Sequence, residues 1–495
     1  MIDKTKRRRM AVTATIFMTG VWLCLIMARY STDLYYMLAE GRNILANGPD
    51  GVNRFTWETG FYIPVQNWLV CTALALCERI HPLFAQHMVY MPIAIVTYLS
   101  LAKYVERRTG STEIGYGSVI ALLILTDRFF SEMRPENIST LLVVLSAACF
   151  ESYRATEKKR YLALQPVLMV LEMNMHATMW FVHFCVLAAY AVPPLVPGLY
   201  GDSRAVRPKD AAACGAAMAA AMLLNPYGAE MILYLPRTLL FFRSNPVSEQ
   251  ASPRFTTTIG AVLVFFWVAI AAMLKKKAIR SSDLHICAGF TLLTCIREHG
   301  TTFMPVAGAV LICAVLESRT DKGRDFPVPE RDMALIQALL AVLGVGLGIF
   351  GLAVAPGRLE PRTQAIAEYI LERQAETGTA MNVIADPQSG SCLEYGGVRG
   401  VYMDGRVEAL SGAINGKDDL WADQKLFKDG VLVTHGDKRY TGLEDYIERN
   451  DIWFIVDESF SLRYPYLVSW AESSGDWRAI RDNGSSGLTL WERIS

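Results

Sequence analysis

The chain has little charge and no excess of either sign: 48 basic residues face 48 acidic ones, and charged residues make up only 19% of the sequence. A nucleic-acid partner therefore has no electrostatic support, because binding a polyanion needs a net cationic surface. Disulfides are not indicated either. Nine of the ten cysteines lie in or beside apolar runs, and only Cys392 falls in polar sequence. Such thiols read as small buried apolar groups. No repeat of fixed period is present. The basic start, Lys4 and Lys6 to Arg9, leads into an apolar stretch that reaches Arg29 without a small-residue cleavage pattern. A retained first span is expected there, not a removed signal peptide.

What the chain does have is apolar sequence, 52% of its residues. Apolar runs recur from Met10 to about Ala355, each long enough or nearly so to cross a bilayer. Basic clusters mark the cytoplasmic side of a membrane protein. They fall at Lys4–Arg9, Lys103/Arg107/Arg108, Arg154/Lys158–Arg160, Arg204/Arg207/Lys209, Lys275–Lys277/Arg280 and Arg319/Lys322/Arg324. Two apolar runs separate each consecutive pair, so the chain goes out and comes back each time. Eleven spans follow, near residues 10–29, 83–102, 113–126, 137–152, 161–173, 177–198, 210–224, 257–274, 283–296, 301–316 and 333–355. The expected architecture is a polytopic α-helical membrane domain over 1–355, with its N-terminus in the cytoplasm. A small α/β soluble domain over 356–495 follows on the outer side of the plasma membrane.

The outward turns concentrate the polar groups. They hold Asp33, Glu40 and Arg42; Asp127, Arg128, Glu132, Arg134 and Glu136; Glu172, Asn174 and His176; Asn225; and Arg297, Glu298 and His299. Ionisable groups near membrane depth are expensive and mark functional paths. A transporter would place them near the midplane on broken helices; this pattern suggests a polar site open to the external face. In the first external loop, Leu34, Met37, Leu38, Gly41 and Leu45 form a stripe at helical spacing. That predicts a helix lying on the membrane surface, ended by Asn47-Gly48-Pro49. Trp57, Trp68 and neighbouring aromatics either stack on sugar rings or anchor the loop among headgroups.

Several ordered motifs carry a resemblance. Asp33 follows the first span directly, and then come Gly41-Arg42-x-Ile44-Leu45, Arg54-Phe55-Thr56-Trp57 and Val65-Gln66-Asn67-Trp68-Leu69. After these stand Arg134-Pro135-Glu136-Asn137-Ile138-Ser139, Asn174-Met175-His176, Leu224-Asn225-Pro226-Tyr227-Gly228, Arg297-Glu298-His299 and Val401-Tyr402-Met403-Asp404-Gly405-Arg406. In this order they resemble the bacterial membrane glycosyltransferases of the GT-C class, which include protein O-mannosyltransferases and the lipid A aminoarabinose transferase. The last motif is similar to a tag of a subgroup with a C-terminal external domain. Asn53 stands where related sequences often carry Asp, Asn67 where Glu or Gln is common, and Gln250 where Trp is expected.

The resemblance implies a GT-C-like fold and sugar transfer outside the cytoplasm. Sugar nucleotides are made inside, so the donor would be a polyprenyl-phosphate-linked sugar. The acceptor would be a hydroxyl of a glycan, lipid or protein, and membrane lipid is a further partner. Such a reaction needs a carboxylate to take the hydroxyl proton and cations to meet the charge on the departing phosphate. In the resembled class the base is the first-loop Asp, which maps to Asp33; the alternative is that Asp33 pairs with Arg29, one helical turn earlier. Glu132 and Glu136 are candidates for a second acid or for ligands of a divalent cation, the one cofactor in view; a pair with Arg134 is the other reading. Arg297 and His299, with Arg134, are candidates for the donor phosphate, since the arginine fork matches phosphate oxygens. A helix-end salt bridge with Glu298 competes. His176, Asn174, Trp57 and Trp68 are candidates for substrate contact, His176 alternatively as an interhelical hydrogen bond. His183, deeper in its span, reads as structural.

In the C-terminal part, periodicity predicts helices over Thr363–Gln374 and Gly442–Arg449. Strands are predicted over Ala380–Ala385, Val398–Met403, Ile452–Val456 and Gly487–Arg493. This part has no Gly-x-Gly-x-x-Gly, no metal-spaced Cys/His set and no Ser-His-Asp arrangement. Asp404-Gly405-Arg406 is either a tight turn or a loop touching the acceptor. Two rival functions stand beside the transferase. One is a polysaccharide ligase or polymerase using a lipid-pyrophosphate donor, which would not need Asp33. The other is a non-catalytic scaffold in envelope assembly.

Overall fold

The structure, a computed structural model, describes residues 4–24, 33–57, 60–130, 134–191, 205–245, 252–254, 256–317, 329–355, 361–417, 419–432, 434–435, 438–458, 464–481 and 488–494. In chain order the helices are α1 (Lys4–Cys24), α2 (Asp33–Asn47), α3 (Trp68–Glu78), α4 (Ala85–Thr109), α5 (Thr112–Phe130), α6 (Glu136–Thr156), α7 (Arg160–Met175), α8 (Trp180–Ala191), α9 (Pro208–Ala221) and α10 (Ala229–Ser244). They continue as α11 (Thr258–Lys275), α12 (Ser281–Ile296), α13 (Met304–Glu317), α14 (Glu330–Ala353), α15 (Pro361–Thr377), α16 (Pro387–Gly396), α17 (Gly412–Asn415), α18 (Gln424–Asp429), α19 (Leu443–Arg449) and α20 (Pro465–Ser474). The strands are β1 (Asn382–Ala385), β2 (Thr434–His435), β3 (Lys438–Arg439), β4 (Ile452–Glu458), β5 (Trp477–Arg481) and β6 (Leu488–Arg493). The chain forms two compact units: Met1–Ser31, Gln86–Ile232 and Pro246–Pro356 make the first, and Thr32–Ala85, Leu233–Asn245 and Gly357–Ser495 the second.

The first unit is helical. Among the described residues five helical segments are long and apolar enough to cross a membrane: Pro82–Thr109, Glu136–Thr156, Thr258–Lys275, Glu298–Glu317 and Glu330–Ala353. The last shows what its surroundings must be. Along α14 only Gly344, Gly348 and Gly351 are buried, while Leu339, Val342, Ile349 and Phe350 are exposed. The glycines are the face that meets α1: a Cβ on Gly20 would collide with the Gly344 carbonyl, and one on Gly351 with the Leu23 carbonyl. Small residues let two backbones approach where dispersion, not the hydrophobic effect, drives helix association. The remaining apolar face belongs in lipid. At the other side of the unit, Arg108 of α4 donates to Asp283 of α12 (2.7 and 2.8 Å) and to Glu317 of α13 (2.7 and 3.0 Å). One guanidinium, satisfied by two carboxylates, thus pins three helix ends.

In the second unit a four-stranded sheet runs in the order β1-β4-β6-β5, with β1 parallel to β4 and the other pairs antiparallel. Val383, Phe454, Val456 and Leu490 from this sheet pack with Ile366 and Ile370 of α15, Leu393 of α16 and Val401. Local chemistry sets α16: Asp386 caps it by accepting from Gln388 and Ser389 N–H groups, Pro387 opens it, and Gly397 ends it at φ +103°. Residues 398–403, expected as a strand, make only isolated bridges from Val401 to Thr56 and Val383.

The first loop differs from the expectation of a surface helix. In α2, Leu34, Met37, Leu38 and Gly41 of the apolar stripe are buried together with Tyr35, Tyr36, Glu40 and Asn43, and Leu45 is half-buried, because α3 and α16 cover the helix within the same unit. Gly41 permits the contact with α3, since a Cβ there would collide with the Cys71 carbonyl. Arg42 then ties the three helices: it donates to both Glu78 oxygens (2.6 and 2.8 Å) and to the Tyr395 carbonyl at 2.9 Å, with its guanidinium 4.5 Å above the Tyr395 ring.

Candidate functional site

In the second unit the functional candidates gather where α2 meets residues 404–406. Asp33 opens α2, where a carboxylate is favoured by the unpaired N–H groups of the first turn. One turn on is Tyr36 and a second turn on is Glu40. Gly405 lies against the first of these turns: a Cβ on it would stand 3.3 Å from Asp33 Oδ1 and 2.9 Å from Tyr36 Cδ1. Gly405 is itself held by its N–H donating to Ser391 Oγ at 2.9 Å. Beside it, Arg406 is buried with its charge fully engaged. It donates to Asp404 Oδ2 at 2.5 and 3.0 Å and to Glu40 Oε2 at 3.0 Å. Asn43 completes the Glu40 carboxylate at 3.0 Å.

More acid than base is buried around this arginine. Glu394 is wholly enclosed and meets no hydrogen-bond donor among the described residues, with Asp404 its neighbour. Burial first, and then the Asp404 charge, push its carboxyl well above the usual range, which favours the protonated acid. Glu408 is also raised by burial, although the Tyr234 hydroxyl donates to it at 2.7 Å. Tyr36 is raised by burial and next by the Asp33 charge. The Asp404-Gly405-Arg406 triplet is therefore a buried clamp on α2.

The two amides that depart from the resembled pattern serve the loop's own structure. Asn53 donates to Thr56 Oγ1 at 2.7 Å and accepts from the Phe55 N–H at 3.3 Å. Asn67 accepts from Cys71 Sγ at 3.4 Å and hydrogen-bonds Tyr36. Trp57 stacks obliquely on Tyr402, centroids 5.2 Å apart, and its buried indole N–H has no hydrogen-bond partner among the described residues. Trp68, half-buried, opens α3.

In the first unit a second cluster surrounds Glu136 at the start of α6. His299 Nδ1 lies 3.3 Å from Glu136 Oε1 and His176 Nε2 lies 3.9 Å from the same oxygen. The other oxygen, Oε2, is buried without a donor among the described residues. The charge of Arg134 also reaches Glu136. His299 is placed by a tight turn after α12. Arg297 ends α12 in an extended conformation, and the 3₁₀ segment Glu298–Phe303 folds back so closely that a Cβ on Gly300 would stand 2.6 Å from Thr294 N. Behind His176 lie Ser139, Glu172 and His183; of these the sequence singles out only Glu172, as one of the polar groups at the outward turns. Asn174 spends its amide on the carbonyls of Val170 (2.7 Å) and Leu224 (2.9 Å), joining the ends of α7 and α9. Glu132, Arg29 and Gln250 lie outside the described residues. Among the described residues no three His, Cys, Asp or Glu side chains converge as ligands for a metal ion.

The helices and their lipid-suited faces define a polytopic α-helical membrane protein. Its fold is similar to that of the crystal structure of ArnT from Cupriavidus metallidurans bound to undecaprenyl phosphate, with a TM-score of 0.52, 11% identity, and coverage of 98% of this chain and 97% of that one. No protein-family model and no curated protein matches the sequence.

Proposed function

We propose that this protein transfers a sugar from a polyprenyl-phosphate-linked donor to an acceptor hydroxyl at the external face of the plasma membrane. The observation that carries this reading is the likeness of fold, over nearly the whole chain, to a structure that holds undecaprenyl phosphate. In the proposed topology eleven spans within residues 1–355 start from a cytoplasmic N-terminus and leave residues 356–495 outside.

In the transfer, the acceptor oxygen forms a bond to the anomeric carbon and the bond from that carbon to the phosphate oxygen breaks, its electron pair leaving with the polyprenyl phosphate. Asp33 takes the hydroxyl proton, a step typically worth ~10²–10⁴-fold. Arg297, His299 and Arg134 hold the phosphate as its charge grows. Glu136, with one oxygen buried and unpaired among the described residues, takes a sugar hydroxyl or serves as the second acid, for which Glu132 is the other candidate. Trp57, Trp68, His176 and Asn174 are the proposed substrate contacts. Incubating the purified protein with undecaprenyl-phosphate hexoses and pentoses plus an envelope extract should release undecaprenyl phosphate. If no donor is consumed and the lipid does not bind, the transferase reading fails.

A further inference from the structure

Four buried side chains of the first unit form one unbranched hydrogen-bonded chain, His183–Glu172–Ser139–His176. The direction of each bond can be read from its far end. His183 Nδ1 is buried and has no hydrogen-bond partner among the described residues. A proton there would be an orphaned donor, which is rarer and costlier than an unpaired acceptor. The His183 proton therefore sits on Nε2 and is donated to Glu172 Oε2 at 3.1 Å. Glu172 Oε1 accepts the Ser139 hydroxyl hydrogen at 2.5 Å. Serine has only that one hydrogen, so at 2.7 Å from His176 Nδ1 its oxygen is the acceptor, and Nδ1 carries the proton. The imidazole lone pair is left on Nε2, which meets the Thr178 hydroxyl at 3.3 Å and faces Glu136 Oε1 at 3.9 Å.

We infer that Ser139, Glu172 and His183 are positioning residues that hold His176 in its Nδ1–H tautomer, making Nε2 the proton-accepting atom beside Glu136. A tether between α6 and α7 would need only the Ser139–Glu172 bond. The structure instead extends that bond at both ends with a histidine, and a carboxylate is kept inside a membrane domain where it is expensive. The use of this arrangement rests on the transferase reading. As the donor bond breaks, the departing phosphate gains charge. In a histidine so held, Nε2 is the one ring atom open to a proton that would meet this charge, since Nδ1 is committed to Ser139. The charged groups around it are Glu136, the neighbouring His299 and Arg134, and Glu172 behind.

The test is ¹⁵N spectroscopy of the full chain labelled in histidine, in lipid bilayers and at alkaline pH, where imidazole is neutral. The His176 signals are those lost in His176→Gln. The inference expects a protonated Nδ1 and a bare Nε2 in the parent protein. Ser139→Ala should populate the Nε2–H tautomer, and Ser139→Thr should restore the parental pattern. Glu172→Gln supplies a separate arm, because its amide can donate to Ser139 and so reverse the chain. A parental Nε2–H tautomer, or a pattern unmoved by both Ser139→Ala and Glu172→Gln, overturns the inference. No substrate enters this measurement, so a protein inactive on polyprenyl-phosphate sugars would count against the transferase and not against the tautomer.

Discussion

The Arg406 guanidinium donates to the Glu40 carboxylate across 3.0 Å, joining side chains 366 positions apart in the chain. Both are buried, and Asp404 engages the rest of the guanidinium. Breaking such a group by removing one partner strands the opposite charge, at a cost of about 3–5 kcal/mol. Arg406→Met should therefore destabilise the protein by that order, seen as a large drop in the unfolding temperature of purified protein in detergent. An unchanged melting temperature would mean that water reaches this cluster.

Gly405→Ala should act on function more than on folding. Gly405 does not have a left-handed backbone, so alanine meets only a steric obstacle. The added methyl would stand 2.9 Å from the buried Tyr36 ring and 3.3 Å from Asp33 Oδ1, and a packed ring edge yields less readily than a flexible chain end. Overpacking of this kind costs about 1–3 kcal/mol of stability. If Asp33 is the base, a displacement approaching an ångström lowers turnover by up to about 10²-fold. Turnover measured beside melting temperature separates the two effects. Parental turnover in a folded Gly405→Ala protein would show that Asp33 does not depend on this contact.

The helical character of the membrane part was legible because an apolar run long enough to cross a bilayer announces itself residue by residue, as Glu330–Ala353 does, whereas the helices Trp68–Glu78 and Ala229–Ser244, shorter than a span, were not read. The strands at 382–385, 452–458 and 488–493 were legible from local patterning. The clamp on α2 was not. Nothing near Glu40 signals a partner at Arg406: the sequence marks Glu40 only as one of the polar groups at the outward turns, and its burial depends on a hydrogen bond supplied from distant sequence. For the same reason residues 398–403 patterned as a strand but do not complete one: beyond Val401 the chain turns inward to bury Asp404 and Arg406. In the first unit His176, Glu136 and His299 were each visible as polar residues at turns. Their convergence, and the place of Ser139 behind them, come from packing of α6 against α7 and against the 298–303 segment.

Glu394 gives a pH dependence with a definite sign. Its carboxyl ionises near about pH 4.3 in an unfolded chain. In the native protein, burial and Asp404 hold the proton on to higher pH. Between those two values the native state binds more protons than the unfolded one, so stability falls as pH rises. The contribution is fully present below the unfolded value and is lost as pH climbs through the folded one. Glu394→Gln mimics the neutral acid and removes this term. Its melting temperature should fall less between pH 5 and 8 than that of the parent, and should exceed the parent's at pH 8. Identical slopes would place the proton elsewhere in the cluster.

The functional proposal rests chiefly on Asp33. It opens a helix whose other turns are fixed by Arg42, Glu40 and the 404–406 clamp, so its carboxylate is held in place more firmly than one on a loop tip. In the proposed topology this residue follows the first span at the outer boundary. A lipid-linked donor presents its anomeric carbon just above the phosphate, near the same depth. An acceptor hydroxyl arriving from outside would meet a base already at the reacting level, the condition under which positioning contributes most. Asp33→Asn keeps the size and much of the hydrogen bonding of the side chain but removes the base. Turnover should fall by about 10²–10⁴-fold while folding and undecaprenyl-phosphate binding persist. Asp33→Glu should restore little, since one more methylene displaces the carboxylate by roughly the 1 Å that such catalysis does not tolerate. A ligase or polymerase acting on a lipid pyrophosphate would keep its activity in Asp33→Asn, and a scaffold would have none to lose. Sugar transfer at the parental rate by purified Asp33→Asn protein would pass the role of base to Glu136 or Glu132.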